Sequence, residues 1–297
     1  MPPSRPKPSE IAAEAKRIWM PHIWKYYIKD STTAIRYEDA SVLKVSRDKY
    51  QHRTRVAVVE GDPVNFALGW YQSAIADPSN RQSSFKRVPV VNMANEKRAG
   101  GDWESGLMAP EECFARRSNL VHALTMPWNT QLGREDNLYP IPTRGGIYSP
   151  EVFVFRGGAD QDYAPLDEIA SLPVISVAPV RRPKLDETGT RYSFAEEKEV
   201  MKDKMRAVLR IAMYWGHRNL VMGAFGVGPI FRNPAGEVAK MWRRLLFDEE
   251  EFRGFFTDVV FAIEASMVGG SSKGGMSDMD VFRAEFAASS IFPTRYC

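Results

Sequence analysis

Six short apolar runs constrain the fold of this chain more than any other feature. They are rich in β-branched residues and lack strict apolar–polar alternation, which is typical of strands buried on both faces. Segments with a helical period lie between them, so strands and helices alternate along the chain. This order predicts a three-layer α/β/α domain around a mostly parallel or mixed sheet. The runs are residues 56–59, 88–91, 152–155, 174–177, 220–222 and 259–263.

Three apolar stripes predict the helices between these strands. One runs from Cys113 to Leu124, a second from Met201 to Ala212, and a third from Val238 to Leu246. At the N-terminus, Ser9 is a candidate cap for a further helix, whose apolar face is Ile11, Ala15, Ile18 and Trp19. The rest of this region is mixed and polar. We therefore expect a partly helical extension over residues 1–52 and one domain over residues 53–297.

Charge and composition exclude several classes of function. The formal net charge is +3, from 40 basic and 37 acidic residues, which does not favour binding to a nucleic-acid duplex. The four histidines and two cysteines have no metal-ligand spacing, so we expect neither a metal nor a cofactor. The lysine of G-G-S-S-K-G-G, residues 269–275, does not fit a phosphate-loop ATPase.

The same features give expectations about the surroundings of the protein. Two cysteines cannot build a disulfide framework, which points to a reducing compartment. The first eight residues are polar and proline-rich, unlike a signal peptide, and no run approaches the roughly 18 apolar residues of a membrane span. We expect a soluble cytoplasmic or nuclear protein that is a monomer and does not bind membranes.

A glycine turn and two adjacent carboxylates follow the strand that ends near Val91. Gly100 and Gly101 permit positive φ angles and close backbone approach, and Pro110 suits the first turn of a helix. Glu111 and Glu112 lie in that first turn. Paired carboxylates are the usual means of cleaving a glycosidic bond. Because neighbouring helical residues diverge by about 100°, only one of the two can point fully into a cleft. The alternative is that both acids only complement the helix dipole.

A second glycine-rich loop, residues 223–234, follows the strand around Leu220. Asn233 is a candidate helix cap and Pro234 a candidate first helical residue. A glycine-rich loop that leads into a helix N-terminus can bind an anion. The loop is not a Rossmann fingerprint, because Phe231 occupies the position of the third glycine. Asp62 follows the first long strand, where it is most simply part of a turn; a contact with adenine is the less favoured alternative.

These motifs together resemble the macrodomain fold and, within it, the microbial-type poly(ADP-ribose) glycohydrolases. The family pattern V-N-A-A-N followed by three glycines is matched by V-N-M-A-N at 91–95 and G-G-D at 100–102. The family motif Q-E-E follows its glycines after six to eight residues, and here seven residues separate Asp102 from P-E-E at 110–112. Further similar segments are I-Y-S-P at 147–150, G-A-F-G-V-G at 223–228 and F-R-N at 231–233. The similarity spans roughly residues 55–265 in consistent order.

The resemblance implies a role for each matching residue. Glu112 corresponds to the catalytic glutamate and Glu111 to the neighbour that helps to fix the distal ribose, which Asn92 would also hold. Phe231 would orient the terminal ribose. The remaining predicted ligand-binding residues are Asn95, Gly100, Gly101, Asp102, Gly226, Val227, Gly228, Ile230 and, as the adenine contact, Asp62.

The implied activity is hydrolysis of the ribose–ribose bonds of poly(ADP-ribose), with release of ADP-ribose. ADP-ribosylated proteins would be its partners. Two departures from the family pattern keep alternatives open: Asp102 replaces the third glycine, and Pro110 replaces the glutamine. One alternative is a non-catalytic reader that only binds ADP-ribose. The other is a hydrolase of mono-ADP-ribosyl groups or other nucleotide conjugates.

Overall fold

The computed structural model describes residues 6–29, 33–45, 53–78, 85–125, 138–264 and 276–287. Seven strands form one sheet in the order β1-β4-β5-β3-β6-β7-β2. From β5 to β2 neighbouring strands are parallel, whereas β1–β4 and β4–β5 are antiparallel. The strands are β1 (Ile35–Tyr37), β2 (Arg55–Glu60), β3 (Val90–Met93), β4 (Gly146–Arg156), β5 (Pro165–Val177), β6 (Asn219–Met222) and β7 (Asp258–Ile263).

The central strands are buried on both faces, which explains why their apolar runs do not alternate with polar residues. In β6, Leu220 and Met222 pack into the core on one face, while Val221 packs into the core on the other. In β7, Phe261 and Val260 divide in the same way. Because successive side chains of a strand point to opposite faces, both sets of positions must be apolar.

Helices cover both faces of the sheet. The first core contains side chains of α6, α7 and α8, and the second contains those of α3, α4 and α5. The prediction of a three-layer α/β/α fold with a mixed sheet is confirmed. The helices are α1 (Pro8–Glu14), α2 (Met20–Tyr26), α3 (Pro63–Ala76), α4 (Pro110–Arg117), α5 (Leu120–Thr125), α6 (Ala195–Tyr214), α7 (Ala235–Phe247) and α8 (Asp278–Glu285).

Two helices differ from their predicted form. The stripe from Cys113 to Leu124 is not one helix, because the chain breaks at Ser118 and Asn119. There Ser118 bridges to Val154, and Asn119 exchanges hydrogen bonds with Phe153. In α7, Pro234 is the N-cap and helical geometry starts at Ala235. The prediction of Asn233 as the cap was therefore wrong, because its side chain is bound elsewhere, as described below.

The N-terminal helix also departs from the predicted pattern. It begins at Pro8, so Lys7 rather than Ser9 is its N-cap. A turn of π-helix over Ala15–Trp19 separates α1 from α2 and shifts the helical register. Ile18, predicted to lie on the apolar face, is consequently 49% exposed.

The N-terminal region contacts the domain in two places. Ala12, Ala15 and Ile23 pack against Trp103 of the first loop, and β1 extends the sheet beside β4. The proposed boundary at residue 52 stays a prediction. Segment 269–275 and Cys297 lie outside the described residues. No described helix has the length and apolar character needed to span a bilayer.

Candidate active site

A cavity of about 370 Å³ opens at the C-terminal edge of the central parallel strands. This edge is where ligands bind in open α/β sheets, and the volume suits a nucleotide-sized ligand. The loops that follow β3, β5, β6 and β7 contribute to its wall. Of the predicted site residues, those that line it are Asp62, Asn92, Asn95, Glu111, Glu112, Val227, Gly228, Ile230 and Phe231.

Glu111 is held by the loop that follows β3. Its carboxylate accepts hydrogen bonds from the backbone N–H of Asn95 at 2.7 Å and of Gly100 at 3.1 Å, and from Asn92 Nδ2 at 3.4 Å. Burial raises the pKa of Glu111 to about 8, in spite of the hydrogen bonds from Asn95, Asn92 and Gly100, which lower it. Both carboxylate oxygens are thus used to fix the loop.

Glu112 has a freer carboxylate. Its Oε1 accepts a hydrogen bond from the Asp102 N–H at 3.1 Å, while its Oε2 accepts none from another described residue. The side chain lines the cavity although the residue is only 6% exposed. The pKa of Glu112 is raised, mainly by burial and also by the charge of Asp102. The hydrogen bonds from the Asp102 N–H and from its own backbone, and the charge of Arg116, act in the opposite direction and lower this pKa. The effect of desolvation on this pKa therefore outweighs the effect of the helix N-terminus, which favours the ionised carboxylate.

Gly101 lets the loop approach both glutamates closely. Its φ is +56°, and a Cβ atom there would lie 2.3 Å from Oε1 of Glu112 and 3.3 Å from Oε2 of Glu111. Any side chain at this position would displace the carboxylates. Gly100, Gly101, Asp102 and Gly226 do not line the cavity themselves. The glycine turn instead lies behind the two acids and positions them.

Arg116 holds the segment between the glycine turn and helix α4. It is fully buried, and its guanidinium donates to the carbonyl oxygens of Trp103, Ser105 and Leu107 at 2.7–2.8 Å. Leu107 lies in the cavity wall. The charge of Arg116 is thus satisfied by backbone dipoles, and the segment is anchored directly to the helix that carries Glu112.

The loop after β6 is held by Asn233, which is 3% exposed. Its Nδ2 donates to the carbonyls of Val180 and Gly226, each at 2.7 Å, and its Oδ1 accepts from the Tyr192 hydroxyl at 2.8 Å. The side chain therefore closes the loop on itself rather than capping α7. These three hydrogen bonds tie the loop to Val180 and Tyr192.

Three backbone N–H groups of this loop are left without a partner in the described chain. The N–H groups of Gly228, Ile230 and Phe231 make no hydrogen bond within the described chain, and all three residues line the cavity. Gly228 has φ +96°, and a Cβ atom there would meet no atom within 4 Å, so space lies open in front of it. Convergent free N–H groups of this kind bind phosphate oxygens.

Three predicted residues have structural contacts of their own. Asp62 caps α3 through the Asn65 N–H at 2.7 Å and forms a 3.0 Å ion pair with buried Arg117, while also lining the cavity. Asn95 closes a turn by accepting from the N–H groups that follow it. Asp102 points away from the cavity to an ion pair with Arg98 at 2.6 Å.

Arg116 and Glu264 were missed by sequence reasoning, and Asn233 was predicted only as a helix cap. Arg116 and Asn233 act through carbonyl groups distant in the chain, and no local motif marks that role. Glu264 follows β7 and lines the cavity; burial raises its pKa to about 7, and the charge of Asp62 adds to the shift. Its position directly after a buried strand is the one signal in the sequence that could have identified it.

Comparison with known proteins agrees with this geometry. A family model described as the microbial-type PARG catalytic domain matches residues 12–157. No curated protein matches the chain. The structure of poly(ADP-ribose) glycohydrolase from Thermomonospora curvata bound to the inhibitor ADP-HPD is 25% identical, with a TM-score of 0.68, covering 94% of this chain and 98% of that one.

A second solved structure is similar over somewhat less of the chain. Poly(ADP-ribose) glycohydrolase from Deinococcus radiodurans in complex with ADP-ribose is 25% identical with a TM-score of 0.60, covering 86% of this chain and 94% of that one. The match of the family model and the likeness of fold, taken with a pair of glutamates beside a nucleotide-sized cavity, point the same way. The chain is therefore a relative of the microbial-type poly(ADP-ribose) glycohydrolases and has their macrodomain-like fold.

Proposed function

We propose that this protein is a poly(ADP-ribose) glycohydrolase, which hydrolyses ribose–ribose bonds and releases ADP-ribose. One observation carries the assignment: Glu112, whose Oε2 accepts no hydrogen bond from another described residue, lines the same cavity as Gly228, Ile230 and Phe231, whose N–H groups have no partner in the described chain. These are an acid–base group and an anion-binding surface, the two parts needed to hold and cleave a sugar linked to a diphosphate.

In the proposed reaction, protonated Glu112 donates its proton to the oxygen that leaves the anomeric carbon of the distal ribose. As that bond breaks, the ribose gains oxocarbenium character. The resulting Glu112 carboxylate then takes a proton from a water molecule that attacks the same carbon, which completes hydrolysis and restores the acid. The raised pKa of Glu112 favours the protonated form that the first step requires.

The other residues of the site position this acid and the sugar. Glu111 fixes the Asn95–Gly100 segment, and Asn92 joins Glu111 to Ser176 by hydrogen bonds at 3.4 and 3.1 Å. We assign Asn92 and Phe231 to the distal ribose and the free N–H groups to the diphosphate. We further propose that the enzyme acts as a monomer on ADP-ribosylated proteins.

Replacing Glu112 by glutamine tests the assignment. Glu112→Gln keeps the size of the side chain but cannot donate and recover a proton, so polymer hydrolysis should fall by about 100- to 10,000-fold while ADP-ribose still binds. The matched control is Glu104→Gln in the loop that precedes α4, where Glu104 is exposed and paired with Lys16. Release of ADP-ribose from labelled polymer and calorimetric binding of ADP-ribose are the two measurements.

The outcomes separate the alternatives. Binding of ADP-ribose by the unaltered protein without hydrolysis of any substrate would make it a reader. If ADP-ribose is released from mono-ADP-ribosylated protein but not from polymer, the enzyme is a hydrolase of single ADP-ribosyl groups. Undiminished hydrolysis by Glu112→Gln would remove Glu112 from the mechanism.

A further inference from the structure

The cavity mouth carries arginines without acidic partners. Arg181, Arg182 and Arg232 are exposed, and none of their guanidinium groups forms an ion pair with a carboxylate of the described chain. Many arginines elsewhere are paired: Arg55 with Asp258, Arg87 with Glu151, Arg144 with Asp39, Arg206 with Glu249, Arg210 with Glu251 and Arg243 with Glu285. Positive charge is thus left available at this edge of the sheet.

Strand topology brings these cations together. Arg181 and Arg182 follow β5, and Arg232 lies in the loop after β6; both loops emerge beside the end of β3. The Arg182 N–H donates to the Phe231 carbonyl at 2.5 Å, which joins the two loops next to Phe231 at the cavity wall. Lys97, from the loop after β3, is exposed and lines the same cavity as Arg181.

Backbone geometry at two of these arginines is unusual. Arg182 has φ +53° and Arg232 has φ +61°, in the left-handed region that non-glycine residues seldom adopt. Strained residues of this kind cluster at ligand-binding sites, where the surrounding structure enforces them. In Arg232 the strain is supported by a hydrogen bond from its Nε to the Pro229 carbonyl at 3.3 Å.

Arg98 shows that cations at this mouth are not uniformly free. It lies one residue after Lys97 and is paired with Asp102 at 2.6 Å. The cavity wall itself is acidic, because Asp62, Glu96, Glu111, Glu112, Glu264 and Asp278 line it. The excess of positive charge is therefore confined to the outer loops, where Lys97, Arg181, Arg182 and Arg232 are exposed and form no ion pair within the described chain.

We infer that Lys97, Arg181, Arg182 and Arg232 form a cationic rim that binds the diphosphate of the ADP-ribose unit next to the one held in the cavity. The inference rests on the proposed function, because it requires a polymer whose chain continues out of the cavity. A polymer carries a diphosphate in every unit, whereas free ADP-ribose has only the one bound inside. The rim therefore distinguishes polymer from monomer by charge complementarity outside the cavity.

The test compares two double variants in a Glu112→Gln background, which prevents cleavage during binding. Arg182→Gln/Arg232→Gln removes two rim charges from residues that do not line the cavity. Arg244→Gln/Arg253→Gln is the matched control, because both arginines are exposed, Arg253 precedes β7 at the opposite edge of the sheet, and Arg244 lies near the far end of α7. Thermal unfolding checks that all proteins are folded.

We expect the rim variant to bind polymer about 3- to 30-fold more weakly than its background, as the loss of two exposed ionic contacts would give. Its affinity for ADP-ribose should not change. Because about 0.7 counterion is released per phosphate contact on a single strand, the slope of log Kd against log salt should fall by about 1.4. The control variant should match its background in all three measurements.

Other outcomes overturn the inference. An unchanged affinity for polymer would show that the rim makes no contact with it, and equal losses for polymer and ADP-ribose would place the arginines in the cavity site. Equal weakening of a single-stranded RNA of similar charge would make the rim a general polyanion surface. If the Glu112→Gln background binds neither ADP-ribose nor polymer, both proposals fail. If the unaltered protein binds polymer through the rim without cleaving it, the proposed function alone fails.

Discussion

The two loops of the cavity use opposite groups for their construction. In the 94–109 loop, backbone N–H groups donate to the carboxylates of Glu111 and Glu112. These two side chains line the cavity. In the 223–233 loop, the side chain of Asn233 donates to backbone carbonyls. The N–H groups of Gly228, Ile230 and Phe231 make no hydrogen bond within the described chain. The proposed proton donor and the proposed anion-binding surface therefore follow neighbouring strands and are built from inverse arrangements of the same chemical groups.

The difference predicts how each loop should fail. Damage to the first loop displaces the acid and should reduce kcat more than it weakens ligand binding. Damage to the second loop displaces the phosphate donors and should weaken ADP-ribose binding as well as reduce turnover. Variants in each loop can therefore test whether the two halves act separately.

Gly101→Ala should have the largest effect. The added methyl group would collide with Oε1 of Glu112 at 2.3 Å, so kcat should fall by about 100- to 10,000-fold, as for loss of the acid itself. Gly189→Ala is the matched control, because Gly189 has φ +69° with nothing within 4 Å of the added methyl. Both variants should lose some stability through backbone strain, but only Gly101→Ala should lose activity in a polymer-hydrolysis assay. Equal activities would show that the close approach is unimportant.

Asn233→Ala should have the next largest effect and should break the second loop. It leaves the Val180 carbonyl without its donor and the Gly226 carbonyl with only the backbone N–H of residue 233, so we expect a loss of about 1–3 kcal/mol in the free energy of unfolding. ADP-ribose binding, measured by calorimetry, should weaken about 10-fold. Tyr192→Phe removes only the hydrogen bond to Asn233 Oδ1 and serves as the milder comparison. Normal affinity in Asn233→Ala would show that the loop does not depend on this side chain.

Arg116→Met should reduce kcat about 10-fold by releasing the 103–107 segment from helix α4. It also removes a charge that lowers the pKa of Glu112, so the alkaline limb of the pH–rate profile should move to higher pH. A residue with a purely structural role would not move that limb. Arg116→Lys keeps the charge and should restore its position even where packing is imperfect. A profile unchanged by Arg116→Met would contradict the electrostatic part of this assignment.

Asp102→Asn should have the smallest effect. It keeps the backbone N–H that binds Glu112 but removes a negative charge that raises the pKa of that acid. Since the general acid must be protonated, activity is lost as pH rises through its pKa, and the alkaline limb should move to lower pH. Asp160→Asn, in the turn after β4, is a charge-matched control. A limb that stays in place would show that the Arg98 ion pair fully screens Asp102.

Much of the fold could be predicted from the chain because buried parallel strands have a distinct composition. The runs that became β2, β6 and β7 were located to within about a residue, since burial on both faces allows no polar alternation. β1 was missed because a three-residue edge strand, I-R-Y, has no such pattern. The break between α4 and α5 was missed because it depends on hydrogen bonds to β4, which lie far away in sequence.

The site could be predicted only where its chemistry is local. Glu111 and Glu112 were identified from their position in a first helical turn, and the structure brings both to the cavity with the 228–231 donors. Neighbouring helical residues diverge, and the two acids accordingly differ in their contacts. Both oxygens of Glu111 accept hydrogen bonds from the loop after β3, whereas Oε2 of Glu112 accepts none from another described residue. Arg116 could not be identified, and Asn233 was predicted only as a helix cap, because a side chain that binds distant carbonyls leaves no pattern nearby.

The π-helical turn over Ala15–Trp19 has a consequence for evolution and engineering of this protein. The turn places Ala15, and helix α2 places Ile23, against Trp103 and Ala115, while buried Arg156 binds the Ile11 carbonyl and Glu14. Residues of the N-terminal region therefore pack behind helix α4, which carries Glu112. A truncation that removes residues 1–52 would delete them. A shortened protein that starts at residue 53 would expose the apolar side chains of Ala115, Phe153 and Phe155 to water. We expect the loss of stability to affect first helix α4 and the position of Glu112.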